Sequence, residues 1–182
     1  AGVGFLLFAL NDLVVDLVYF ARTLYRSATI YTRYPRAFAS SIELLWTPRP
    51  IAILVPAWDE GMVIGPMLRA TIERLKHPNY RVFVGHYRND PATALAIGRI
   101  GDERIEPVLV DNDGPTTKAD CLNHLYDALV AWEMASGKNF VAVVLHDAED
   151  AVHPLELQLF DQLMDRTALI QLPVLPLPDP RS

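Results

Sequence analysis

One cysteine in 182 residues is the first scarcity of this chain. Cys121 by itself excludes an internal disulfide framework and fits a reducing compartment. It reads as a small buried residue on a helix. Positive charge is scarce too: the net charge is −6, and residues 51–182 carry eleven basic against nineteen acidic side chains. An acidic body of this kind lacks the basic footprint of a nucleic-acid partner. Several motifs are also missing. Without GxGxxG or GxxxxGK[ST] there is no dinucleotide fingerprint and no Walker loop. No serine sits in a GxSxG elbow, and the five histidines are scattered without HExxH spacing. The chain is nevertheless long and apolar enough, at 51% hydrophobic and 21% charged, for one folded domain with a proper core.

The N-terminal stretch is built differently. Two apolar runs, Gly2–Leu10 and Leu13–Phe20, are broken by Asn11, Asp12 and Asp16. A clean span needs about 20 apolar residues, and carboxylates inside one are costly. Asp12 and Asp16 lie four apart and share a helical face. Arg22, Arg26, Arg33 and Arg36 follow, interleaved with Tyr19, Tyr25, Tyr31 and Tyr34. Arginines and aromatics after an apolar segment mark a membrane edge with its following side in the cytoplasm. The expectation for residues 1–47 is a membrane-embedded or interfacial helix with a juxtamembrane segment. A buried amphipathic helix is the alternative. With no basic start and no small-residue cleavage site, a signal peptide is not expected. The chain opens without methionine, in helix-like sequence, so an N-terminus cut from something longer is also expected.

From Pro48 the pattern becomes alternating. Strands are predicted at Ile51–Val55, Tyr80–Gly85, Ile105–Val110, Phe140–Leu145 and Ala168–Leu172. Helices are predicted at Met62–Lys76, Ala92–Ile100, Lys118–Ala135 and Leu155–Met164. Such alternation implies βαβ units and a largely parallel sheet. Ligands then gather at strand C-termini, and four of these ends are polar or acidic: Trp58-Asp59-Glu60, His86 to Asp90, Asp111 to Gly114, and Asp147 to Asp150. The last is the sharpest. Asp147, Glu149 and Asp150 crowd three carboxylates into four residues, and two unit charges about 4 Å apart repel by about 4 kcal/mol at an effective dielectric near 20. A divalent cation relieves that repulsion and can carry a nucleotide's phosphates; a solvated acidic turn before a helix opened by Pro154 is the competing reading. His146 and His153 flank the cluster as ligands or as hydrogen-bonded structural residues. Lys118, at the start of a long helix, would add a point charge to an end that already favours anions.

These strings together resemble a family. Ile51–Glu60 (IAILVPAWDE) is similar to the opening strand of family-2, cellulose-synthase-like glycosyltransferases. Thr117–Asn123 (TKADCLN) is similar to their KAxALN segment, and Asp147-Ala148-Glu149-Asp150 stands at their DxD metal motif. The strings HDAEDAVHP, GHYRNDPAT and QLPVLPLP, with the N-terminal apolar helix, resemble an inner-membrane branch from Gram-negative bacteria. The resemblance covers about residues 5–178. It implies that residues 48–182 are the nucleotide-sugar-binding half of a GT-A domain, an α/β Rossmann-like sheet with flanking helices. Pro56, Ala57, Trp58, Glu60, His86, Tyr87, Asp90, Lys118 and Asp147 would meet the donor, a UDP-sugar. Asp147 and Glu149, with Asp150 as an extra ligand, would hold Mg²⁺ or Mn²⁺. His86-Tyr87 stand where the family usually has paired acids for the base.

The resemblance also implies hexosyl transfer to a glycan acceptor at the bacterial inner membrane, with lipid contact, an envelope or outer-membrane protein as partner, and the domain in the cytoplasm. The family's general base, in a TED-type motif, and its QxxRW segment are not in this chain, so a C-terminally truncated donor-binding half is expected. Asp161 or Asp165 could be suggested as a base, but both read as solvated helix residues. A nucleotidyltransferase-like enzyme and a non-catalytic membrane-associated nucleotide-binding module remain the alternatives.

Overall fold

The computed structural model describes residues 2–33, 38–42 and 47–172. The chain divides into two units, Ala1–Ser41 and Ile42–Ser182. In the first, α1 runs over Gly2–Thr29, 28 residues, and a short 3-10 turn follows at Ala39–Ser41. Among the described residues no helix is long and apolar enough to cross a membrane. Of the expected membrane-embedded or interfacial helix, the spanning form is therefore corrected. At about 1.5 Å per residue α1 has the length, but Asn11, Asp12 and Asp16 interrupt its middle and Arg22 and Arg26 its later turns.

The second unit carries β1 (Ile51–Pro56), α2 (Ile64–Arg74), β2 (Tyr80–Tyr87), α3 (Pro91–Gly98), β3 (Ile105–Val110), α4 (Lys118–Ser136), β4 (Ala142–Leu145) and α5 (Glu156–Leu163). The four strands form one sheet in the order β3-β2-β1-β4, parallel throughout, with Ile51 beside Tyr80 and Ala142, and Val82 beside Ile105. The chain steps outward from β1 to β3, then crosses back to the far side of β1. Right-handed crossovers in both directions require helices on opposite faces. Alternation along β1 makes both faces apolar. Ile51, Ile53 and Val55 pack with Ile64, Leu68, Ile97 and Leu157, while Ala52 and Leu54 join Phe83, Cys121, Leu125 and Leu129 of the α4 side. Gly85 lets α4 approach: a Cβ there would overlap the Cys121 sulfur.

Helix ends follow their sequence signals. Thr117 caps α4 by accepting the Asp120 N–H at 3.1 Å, and Gly137 closes it in the left-handed region (φ 68°). Most element boundaries differ from expectation by a residue or two, but Ala168–Leu172 is a correction. It forms no strand; the Thr167 hydroxyl instead engages both the N–H and the C=O of Leu169, offering the backbone a local alternative to a ladder. A second correction concerns Asp161, which is buried rather than solvated. Its carboxylate accepts from the Arg49 backbone N–H at 2.9 Å and from Arg49 Nε at 2.5 Å, and it lies 3.3 Å from His77 Nε2. Arg49 and His77 precede β1 and β2, so this cluster ties α5 to the N-terminal edge of the sheet.

Candidate functional site

The reversal of strand order between β1 and β4 opens a crevice at their C-terminal ends, where open α/β sheets take ligands. A cleft of about 350 Å³ lies there, lined by Pro56, Ala57, Trp58, Glu60, Tyr87, Thr116, Lys118, Cys121, Asp147, Ala148 and Glu149. Eight of the residues singled out from sequence line it, and three do not.

Part of the cleft lining is aromatic. The Trp58 and Tyr87 rings meet edge to face with centroids 5.1 Å apart. Tyr87 Oη lies 2.7 Å from Thr116 Oγ1, which joins the end of β2 to the loop before α4. Asn89 fixes that loop from the other side, donating to the Gly114 carbonyl at 2.6 Å and accepting its N–H at 2.8 Å. Gly114 must be glycine because Trp58 lies directly against it; a Cβ would overlap the indole. Burial raises the Tyr87 phenol above its ordinary value, so this wall offers a neutral hydroxyl. Burial likewise raises the Cys121 thiol.

Another part of the lining is charged. Lys118, the first residue of α4, makes an ion pair with Asp147 across the cleft. The Asp147 N–H donates to Asp150 Oδ2 at 2.8 Å, and the Asp150 N–H donates back to the Asp147 carbonyl at 3.1 Å. One carboxylate oxygen of Asp150 is thus spent inside its own turn. Glu60 is held above the usual glutamate value, by burial first and then by the Glu149, Asp59 and Asp90 carboxylates. Among the described residues no three His, Cys, Asp or Glu side chains converge as a ready-made metal cage.

His86 and Asp90 stand apart from the cleft lining. Side chains alternate along β2, so Tyr87 faces the α4 side with Phe83, and His86 faces the other. Burial lowers the His86 pKa, against the pull of Asp90, and its Nδ1 has no hydrogen-bond partner among the described residues. Asp90 is buried and caps α3. His146 bonds Glu156 at 3.0 Å and His153 accepts the Leu155 N–H, so both engage protein groups beside the turn. Thr116, Cys121 and Ala148 are lining residues that the sequence reading missed. Ala148 alternates between two acids, and only its burial at 3% exposure marks it as the floor of the cleft.

Two relatives from Escherichia coli match this chain: bacteriophage adsorption protein B of strain K12 and bacteriophage N4 adsorption protein B of O157:H7. Each is 42% identical over 171 residues, covering 92% of this chain and 23% of the relative. The chain thus spans about a quarter of the length of the curated relatives it matches. Among solved structures, glucosyl-3-phosphoglycerate synthase of Mycobacterium tuberculosis overlaps 59% of this chain and 37% of its own, at 17% identity and a TM-score of 0.37. The same enzyme in complex with UDP overlaps 68% and 42%, at 17% identity and 0.40. Overlaps of that size carry no inference about the ligand of this chain. The model of glycosyltransferase like family 2 matches residues 48–174. That stretch holds all four strands and every residue lining the cleft, and by it the chain belongs to glycosyltransferase family 2.

Proposed function

We propose that the cleft binds the nucleoside diphosphate of a sugar donor, a UDP-sugar, and that the chain is the donor-binding half of a hexosyltransferase acting at the bacterial inner membrane. The carrying observation is the mixed lining of the cleft: an aromatic pair, Trp58 and Tyr87, together with the charged side chains of Lys118, Asp147 and Glu149. A planar base suits the aromatic pair and a diphosphate the charged group. Pro56, Ala57 and Glu60 flank the base and ribose, and the Lys118 ammonium binds phosphate as a point charge.

The donor set suits a hard divalent cation. Asp147 and Glu149 present carboxylate oxygens, and Glu60 is close enough to Glu149 to be raised by it. Magnesium is commonly held by one or two carboxylates together with substrate phosphates and waters, so a preformed cage is not required. Asp147 and Glu149 would hold Mg²⁺ or Mn²⁺, with the remaining oxygen of Asp150 in reserve. Bound there, the ion supplies neutralisation of the negative charge that grows on the departing nucleoside diphosphate. Lys118 is released from Asp147 as it turns to phosphate. Transfer to an acceptor hydroxyl on a glycan, and any envelope partner, belong in this reading to the longer polypeptide of which the relatives are examples.

The N-terminal helix fits the membrane surface in the same reading. At about 100° per residue, Asn11, Asp12, Asp16, Arg22 and Arg26 share one side of α1, and Leu10, Leu13, Leu17, Phe20 and Leu24 the other. Such a helix lies in the interface plane rather than across it.

Calorimetric titration of UDP-glucose with and without Mn²⁺, on the wild type and Asp147→Ala, tests the donor site. Binding that needs Mn²⁺ and weakens at least tenfold in the variant is expected. Absent or metal-independent binding would count against the reading.

A further inference from the structure

Trp58 and Glu60 reach the cleft from a turn that the backbone resists. Asp59, between them, has φ 58°, a left-handed conformation that residues other than glycine adopt at a cost and that persists only where the surroundings over-determine it. Three contacts do so here. Asp90 Oδ2 accepts the Asp59 N–H at 2.7 Å. Asp90 Oδ1 accepts the Thr93 N–H at 3.2 Å as the cap of α3. Thr93 Oγ1 in turn accepts the Glu60 N–H at 2.9 Å. Gly61 completes the seat, since a Cβ there would stand 2.9 Å from that of Ala92. Asp90 and Thr93 are both buried, so the acceptor side of these bonds is shielded from water.

We propose that Asp90 is a positioning residue: its two carboxylate oxygens clamp the strained Trp58-Asp59-Glu60 turn to the start of α3 and so set Trp58 and Glu60 in the cleft. Asp90 acts through that turn and does not itself touch the nucleotide. This rests on the nucleotide-binding reading above for its functional consequence, but the clamp itself is independent of it.

The test uses the full chain with Asp90→Asn, Asp59→Gly and the double variant. Asparagine retains one acceptor for Thr93 and turns an amide donor toward the Asp59 N–H, so α3 keeps its cap while the clamp opens. Amide hydrogen exchange should speed up at Asp59 and Glu60 by about tenfold or more in Asp90→Asn, the usual scale for losing a bond to a charged acceptor, with α3 interior amides unchanged. UDP, with Mn²⁺ present, should bind about tenfold more weakly. Adding Asp59→Gly should restore most of that affinity, because glycine adopts the left-handed conformation without the side-chain penalty. Unchanged exchange at Asp59 would overturn the clamp. An equal affinity loss in both backgrounds would overturn the positioning role, because it would mean that Asp90 meets the nucleotide directly. If the wild type bound no UDP, the donor-site reading would fail while the exchange data still decided the clamp.

Discussion

Asp161 offers a sharp separation between holding the fold and doing chemistry. It was one of two carboxylates that the sequence offered as a base, yet it lies among Arg49 and His77 at the N-terminal edge of the sheet. The cleft is at the opposite edge, one strand away; β1 has six residues, which at about 3.3 Å each puts the two about 20 Å apart. In Asp161→Ala the Arg49 side chain, about one-third exposed, recovers water, so that part of the loss is about 1 kcal/mol or less. The Arg49 N–H and the buried His77 ring are left without their acceptor, at about 1–3 kcal/mol each. The sum, about 2–7 kcal/mol, is a large fraction of an ordinary folding free energy. With a urea slope of about 2 kcal/mol per molar it moves the midpoint down by about 1–3.5 M. Burial raises the Asp161 carboxyl but the bonds from Arg49 and His77 outweigh it, so its folded pKa is lowered. Its stabilisation is therefore full above the unfolded aspartate value, about 3.9, and is lost as pH falls through the folded value. Asp161→Asn should flatten the acid limb of the stability profile below about pH 4. UDP affinity under native conditions should not change in either variant. A midpoint shift below about 0.5 M, or a specific loss of UDP binding in the folded variant, would refute this account.

Two further outcomes follow from close contacts. Gly85→Ala should cost about 1–3 kcal/mol by overpacking against Cys121, and Cys121→Ala should recover most of it; additive losses in urea melts would exclude that contact as the cause. Lys118→Met should weaken UDP binding at least tenfold while strengthening Mn²⁺ binding in the absence of nucleotide, because Asp147 loses its ion-pair partner. Paramagnetic resonance of free Mn²⁺ reads the second effect, and an unchanged Mn²⁺ affinity would contradict the exchange of partners at Asp147.

What the sequence displayed and what it hid divide along a physical line. Runs such as Ile51–Val55 are buried on both faces, and a strand of that kind announces itself by composition alone. Its end is then a rim position, which is why Trp58, Glu60 and Asp147 are legible as neighbours from the sequence. What composition does not carry is which way a side chain faces once the run has ended. His86 and Tyr87 are adjacent and both polar-tipped, yet one strand residue of difference sends them to opposite faces, and only Tyr87 reaches the cleft. Asp90 and Asp161 were each legible as acids, but the backbone N–H groups of Asp59 and Arg49 that they accept are distant in sequence and invisible to any motif; only the Asp90 cap of Thr93 is local. Ala168–Leu172 has strand composition, but composition does not supply a neighbouring strand, and Thr167 meets the Leu169 backbone first. The functional reading therefore rests most firmly where two independent requirements meet in one residue. Lys118 is such a place: helix geometry puts it at an N-terminus that favours anions, and sheet topology brings that terminus across from Asp147.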